Sequence, residues 1–307
     1  MGQIMQDIKD EFHLWKFMFQ RCPPTRFYWC KTVNSSIPLM IFRCAAFIFA
    51  ITILSLTLWS NGSDAALWQL AAFTVWSYIM LTLYFFTASL ISVFYVYKSY
   101  RYSEPFHQVA VTHERNNPVS TSEESIIRGE VSGTTADLVN NQIGTFRELT
   151  NHEINFQTES VPWFLITQWC LYNIALPAAI LVTIVYWGAL YPMLQASSDF
   201  HTNFIDVSLH AVNSAFMITE QYLGALPTRI LHVYQPILYA IVYMIFSGIY
   251  WHFTGIILYP YILDWTRPGI TTASLFGILL YFIVAQLVFF LLYRLQKYSC
   301  RNVHGDD

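Results

Sequence analysis

Between Phe204 and Pro260 the chain is apolar enough for a membrane, yet its first helix-length stretch carries Asp206, His210, Asn213 and Glu220. Such side chains cost several kcal/mol in hydrocarbon unless they face other helices or water, so a segment that keeps them is a candidate active site. His210, Asn213, Met217 and Glu220 recur at steps of three and four, which places them on one helix face with Asp206 one turn before His210. An imidazole beside a carboxylate or an amide is a general base with a group to orient it, and attack on an ester also needs a hydroxyl. Thr74 supplies one. If the segments starting near Ala66 and Phe204 both descend from the outer face, Thr74 and His210 lie six to eight residues down, about 10 Å at 1.5 Å per residue. The same periodicity also suits a histidine that only packs helices through a bond to another span.

The elements that must hold these residues are membrane helices. The 307 residues are 55% hydrophobic, 18% aromatic and only 11% charged, with a mean hydropathy of +0.41, and the charged share is less than half of that in soluble domains. Spans of about 20 residues fit at Pro38 to Trp59, Ala66 to Tyr97, Val161 to Tyr191, Phe204 to Gly224, Ile230 to Phe253 and Thr272 to Leu295. The expected fold is therefore an all-α membrane bundle of six transmembrane helices. Of the sixteen Lys and Arg, fourteen fall in the N-terminal arm, the second and fourth loops and the tail, one (Arg267) in the fifth loop, and Arg43 inside the first span. Because cytoplasmic loops hold the basic excess, both termini are expected in the cytosol. No apolar run precedes Ile37, so the first span is expected to act as the insertion signal.

The chain divides into a cytosolic arm (1–36), spans one and two (37–98), a polar loop (99–160), spans three to six (161–296) and a cytosolic tail (297–307). The arm contains an amphipathic candidate, Ile8 to Phe19, suited to an inner leaflet surface. The loop is rich in acids, Asn, Ser and Thr, a composition that cannot bury a core, and Ser120 to Ser125 form a phosphorylation candidate. Pro177 is expected to kink span three. Asn61-Gly62-Ser63 is a sequon in a very short outer loop. Arg43 rises about five residues from the inner boundary and Glu220 stops about four short of it, so the two are expected to pair, since either charge alone in hydrocarbon costs several kcal/mol.

Several stretches resemble a known family. The run SVPWFLITQWCLYNIALPAAILVTIVYWGALYP, then HAVNSAFMITEQYLGALPTRILH, YWHFTG and YPYILDWTRPG, is similar to the rolling stone family of multi-pass membrane proteins, from Trp68 onward apart from the polar loop. The founding member of that family is implicated in myoblast fusion. More distantly, the spacing from His210 to Glu220, with Pro227-Thr228-Arg229, His252-Phe253-Thr254-Gly255 and Tyr259-Pro260, resembles the androgen-induced and androgen-dependent membrane threonine hydrolases, which cleave fatty acid esters of hydroxy fatty acids. That resemblance implies His210 as the catalytic histidine. Their threonine follows a Trp by four positions, which here is Ala72, while the register of rolling stone relatives puts it at Thr74.

The expected activity is thus an intramembrane lipid ester hydrolase with Thr74 as nucleophile, His210 as base, and Asp206, Asn213, Glu220 and Arg43 in support. It implies a membrane lipid as substrate in the plasma membrane or an endomembrane, with no cofactor, metal or nucleic acid. Phe73, Trp76, Phe216 and Tyr250 are expected to line the shared cavity. The alternative is a non-enzymatic protein of cell fusion or signalling, in which the same residues hold the bundle together. Very short outer loops disfavour it. A transporter or channel is disfavoured by the lack of internal repeats and of a charged pore ring.

Overall fold

A computed structural model describes residues 6, 8–9, 11–13, 16–19, 22–33, 35–59, 69–115, 161–196, 202–260 and 262–304, with the backbone alone for 102–115 and 297–304. Trp68, the Asn61-Gly62-Ser63 sequon and the Ser120 to Ser125 cluster lie outside the described residues.

The helices in chain order are α1 (Ile37–Trp59), α2 (Phe73–Arg115), α3 (Trp163–Gln195), α4 (residues 204–223), α5 (Tyr234–Thr254, led in by a 3₁₀ turn at Ile230–Val233) and α6 (Pro268–His304). All but α4 are long and apolar enough to cross a membrane. Among the described residues there is no strand, only isolated bridges such as Cys30 with Gly224. The first span matches its expected extent within one residue, and the helix of α3 runs unbroken through Pro177. Two bounds differ. The helix of α2 continues past Lys98 to Arg115, so the expected irregular stretch is helical at its start. It also begins only at Phe73, which puts Thr74 in its first turn rather than well inside a span. Side chains from elsewhere hold that interruption: Trp76 Nε1 donates to the Leu70 carbonyl at 2.8 Å, the Tyr243 hydroxyl to the Ala71 carbonyl at 3.0 Å, and the Tyr259 hydroxyl accepts the Phe73 N–H at 2.9 Å. Backbone groups freed at a helix break must find such partners when buried.

The centre of the molecule is where α2 meets α3. Tyr78, Leu81, Tyr84, Phe85 and Ala88 of α2 are buried with Leu165, Trp169, Tyr172 and Ala175 of α3, and Ala46, Ala50 and Ile53 of α1 close one side. Small residues on α1 and α3 let the backbones approach, as membrane helices require. Opposite faces stay apolar and exposed, at Ile41 and Ile48 on α1, Leu238 and Ile245 on α5, and Phe276 and Leu280 on α6. Helices apolar all round are what a bilayer selects. The arm does not stand apart from this bundle. Phe27 is wholly buried, Phe19 packs 5.3 Å from Trp169 and 4.8 Å from His232, and the Met18 carbonyl accepts Arg229 Nη1 at 2.7 Å.

Candidate functional site

The polar stripe of α4 faces inward as its spacing demanded. His210, Asn213, Met217 and Glu220 are 8%, 3%, 0% and 1% exposed, so none meets lipid. The stripe then divides into two parts with different partners. At the end bearing the basic residues, Glu220 pairs with Arg43. Arg43 Nη2 lies 2.6 Å from Glu220 Oε1, Nε donates to both carboxylate oxygens at 3.1 and 3.2 Å, and Nη1 donates to the Phe27 carbonyl at 2.6 Å and Ser92 Oγ at 2.8 Å. Both side chains are buried, and the extra bonds to the guanidinium are what keeps such a pair from being a net loss. The backbone is drawn tight here too. A Cβ on Gly224 would lie 2.8 Å from the Glu220 carbonyl and 3.0 Å from Oε1, so only glycine fits beside the pair.

The other part of the stripe holds His210. It sits in a π-helical turn, Ser208–Val212, facing a second π turn, Tyr186–Leu190, on α3. Such single widened turns recur at functional sites. The His210 ring stacks parallel on Tyr186 with centroids 3.5 Å apart, and Trp187 Nε1 donates to the His210 carbonyl at 3.1 Å. The ring atom Nδ1 is buried with no hydrogen-bond partner among the described residues. Buried polar atoms are nearly always partnered, so an orphan imidazole nitrogen needs a functional or structural reason.

His210 and Thr74 line one cavity of about 490 Å³, together with Asp206, Gln69, Tyr186 and Tyr259. No hydrogen bond joins the two among the described residues. The Thr74 hydroxyl instead interacts with Tyr259, whose phenol burial holds above the usual tyrosine range, so it keeps its proton at neutral pH. Gln69, whose Oε1 is likewise unpartnered among the described residues, belongs to the same wall. The cavity is therefore bordered by a threonine, a histidine and a tyrosine with a neutral phenol. These are groups that can pass a proton and stabilise an oxyanion.

The expected helpers of His210 are engaged elsewhere. Asp206 borders the cavity, but its carboxylate closes a capping box at the start of α4: Oδ2 accepts the Asn203 N–H at 3.2 Å while Asn203 Oδ1 accepts the Asp206 N–H at 2.8 Å. Asn213 Oδ1 accepts the Ser214 N–H at 2.6 Å and the Thr183 hydroxyl at 3.4 Å. Neither bonds to the imidazole among the described residues: the Asp206 carboxylate is taken by the Asn203 N–H and the Asn213 oxygen by the Ser214 N–H and the Thr183 hydroxyl. Of the aromatic lining expected, Phe73 lies on a space adjoining this cavity. Phe216 packs instead against Phe42, Phe49 and Phe85, Trp76 against Tyr239, Tyr243 and Phe246, and Tyr250 against Phe246. The sequence marks neither Tyr259 nor Tyr186 as a site residue. Tyr259 is visible only within the Tyr259-Pro260 resemblance, and Tyr186 only as one of the aromatics expected at a membrane–water interface.

Comparison with known proteins adds two findings. A family model described as "Protein rolling stone" matches residues 141–304, a span that includes His210, Glu220 and Tyr259 but not Thr74 or Arg43. The Drosophila melanogaster protein "Protein rolling stone" is 31% identical over 135 residues, or 42% of this chain and 48% of that protein. The chain thus spans about half the length of the relative it matches. No solved structure matches.

Proposed function

This chain belongs to the rolling stone family of membrane proteins, and from that premise we propose that it is an intramembrane lipid ester hydrolase with Thr74 as nucleophile and His210 as base. The observation that carries the reading is the cavity whose wall Thr74 and His210 share. Thr74 Oγ attacks the ester carbonyl carbon as the imidazole takes the hydroxyl proton. The carbon–oxygen bond to the alcohol then breaks, that proton passes to the departing alcohol, and the acyl group stays on Thr74. Water, deprotonated by the same imidazole, releases the fatty acid and restores the hydroxyl. Tyr259 donates to the carbonyl oxygen as it becomes an oxyanion. The π-stack on Tyr186 orients the ring, the task the sequence had given to Asp206 or Asn213.

The proposed setting is a bundle of six spans with both termini cytosolic. The inward-facing polar stripe of α4 supports counting it as a span, and the distribution of Lys and Arg supports the orientation. The site then lies in the outer half.

Labelling of membranes with a fluorophosphonate probe, followed by release of fatty acid from a hydroxy-fatty-acid ester, tests the reading. Thr74→Ala and His210→Ala should each abolish label and turnover while the protein stays in the membrane at normal levels. Full labelling of both variants would leave the alternative, a non-enzymatic protein of cell fusion or signalling. The observation favouring that alternative is that Arg43, Glu220, Asn213 and Asp206 are all engaged in structural bonds.

A further inference from the structure

Building on the hydrolase reading, we infer that the acyl chain of the substrate lies in the seam between α5 and α6, and that Ala240 determines how long a chain the seam accepts. The cavity holding His210 is the first of three adjoining spaces. It shares Thr74, Tyr186, Leu190 and Tyr259 with a second space of about 90 Å³. That space shares Ala240, Met244 and Ile278 with a groove of about 360 Å³ between the two helices. Character changes along the path. The first cavity carries an imidazole, a carboxylate and an amide, whereas the groove is hydrocarbon except for Thr272. Its rim residues Ile241, Phe276 and Leu279 are exposed, so it opens on the face turned to lipid.

Dimensions choose the occupant. An apolar cavity of about 150 Å³ takes up one benzene ring, and the connecting space is smaller, at about 90 Å³. A stretch of methylene chain fits a space of that size, whereas a sterol nucleus or a helix of another protein, each larger than benzene, does not. The groove runs beside residues 272–282 of α6, about 15 Å of helix, enough to bury much of a long acyl tail. At the junction Ala240 is packed between Leu181 and Phe282 and is its smallest side chain. A larger residue there would close the passage.

A diazirine-bearing palmitoyl probe, irradiated in membranes containing the full-length protein and mapped by peptide sequencing, tests this. Label is expected on residues 237–244 and 272–282, displaced by oleate. Ala240→Leu should reduce palmitoyl labelling at least about tenfold, since the part of the tail beyond the junction loses its burial, with an octanoyl analogue little changed, and Met244→Ala should preserve or raise it. Thermal stability in detergent separates a blocked passage from a misfolded variant, and Ile278→Trp closes the passage from the other helix if Ala240→Leu does not fold. Label spread over all lipid-facing helices, or unaltered by these substitutions in folded protein, would overturn the inference, as would groove cross-links to another protein alone. The probe binds without turnover. Labelling retained in Thr74→Ala with no hydrolysis in the wild type would keep the acyl seam and remove the hydrolase, while hydrolysis with label elsewhere would do the reverse.

Discussion

Arg43 and Glu220 form the most deeply buried ion pair among the described residues. Arg43→Met strands a buried carboxylate and is expected to cost about 3–5 kcal/mol, whereas the double change to apolar residues should be far milder, because the desolvation of both charges disappears together. Thermal unfolding of the purified variants in detergent measures the difference. Exchange of the two charges should restore little, since Nη1 also donates to the Phe27 carbonyl, which would repel a carboxylate in its place. Asp264 provides a pH-dependent counterpart outside the spans. The Thr266 hydroxyl donates to its Oδ1 at 2.5 Å and the Thr266 N–H at 3.0 Å, with Arg267 nearby, and together they hold its carboxyl below the usual range. Its folded value is depressed, so its contribution is fully present above the unfolded value near about 3.9 and lost as pH falls through the folded one. Asp264→Asn should flatten the acid side of the stability curve. Superimposable curves for variant and wild type from neutral pH to about pH 3 would rule this out.

At the scale of elements, α4 is the helix whose ends decide the site. Its capping box sets where the helix starts and therefore which way the following π turn presents His210. Asn203→Ala should cost about 1 kcal/mol of stability and lower turnover through misplacement of the ring. Asp206→Asn preserves an acceptor and should be mild in both. A loss of several orders of magnitude in turnover for Asp206→Asn, at normal stability, would mean that Asp206 orients His210 after all. The start of α2 makes the same point from the opposite wall. Thr74 reaches the cavity because Trp76, Tyr243 and Tyr259 hold the chain in a separate turn before Phe73.

At the scale of the whole molecule, the distribution of basic residues predicts that tags at either terminus and at Ser120 are reached only from the cytosolic face, and that a tag beside Arg267 is reached from the other. Protease protection in sealed vesicles distinguishes this from any odd number of spans. If α4 did not cross, the two termini would fall on opposite sides.

Sequence by itself determined the membrane class, the extent of α1, the inward polar face of α4 and the meeting of Arg43 with Glu220. Each follows from a local rule, namely hydropathy over a window, helical periodicity, or the penalty on a lone charge at a given depth. It also put Thr74 and His210 at one level, and both line one cavity. Tertiary structure alone decided their partners. Which of several acceptors a side chain bonds depends on the rotation of neighbouring helices and on interruptions such as the two π turns, and no period in the sequence encodes either. Hence Asp206 turned to its own helix end, Phe216 turned toward α1, and Tyr186 and Tyr259, distant in the chain, came to border the threonine and the histidine.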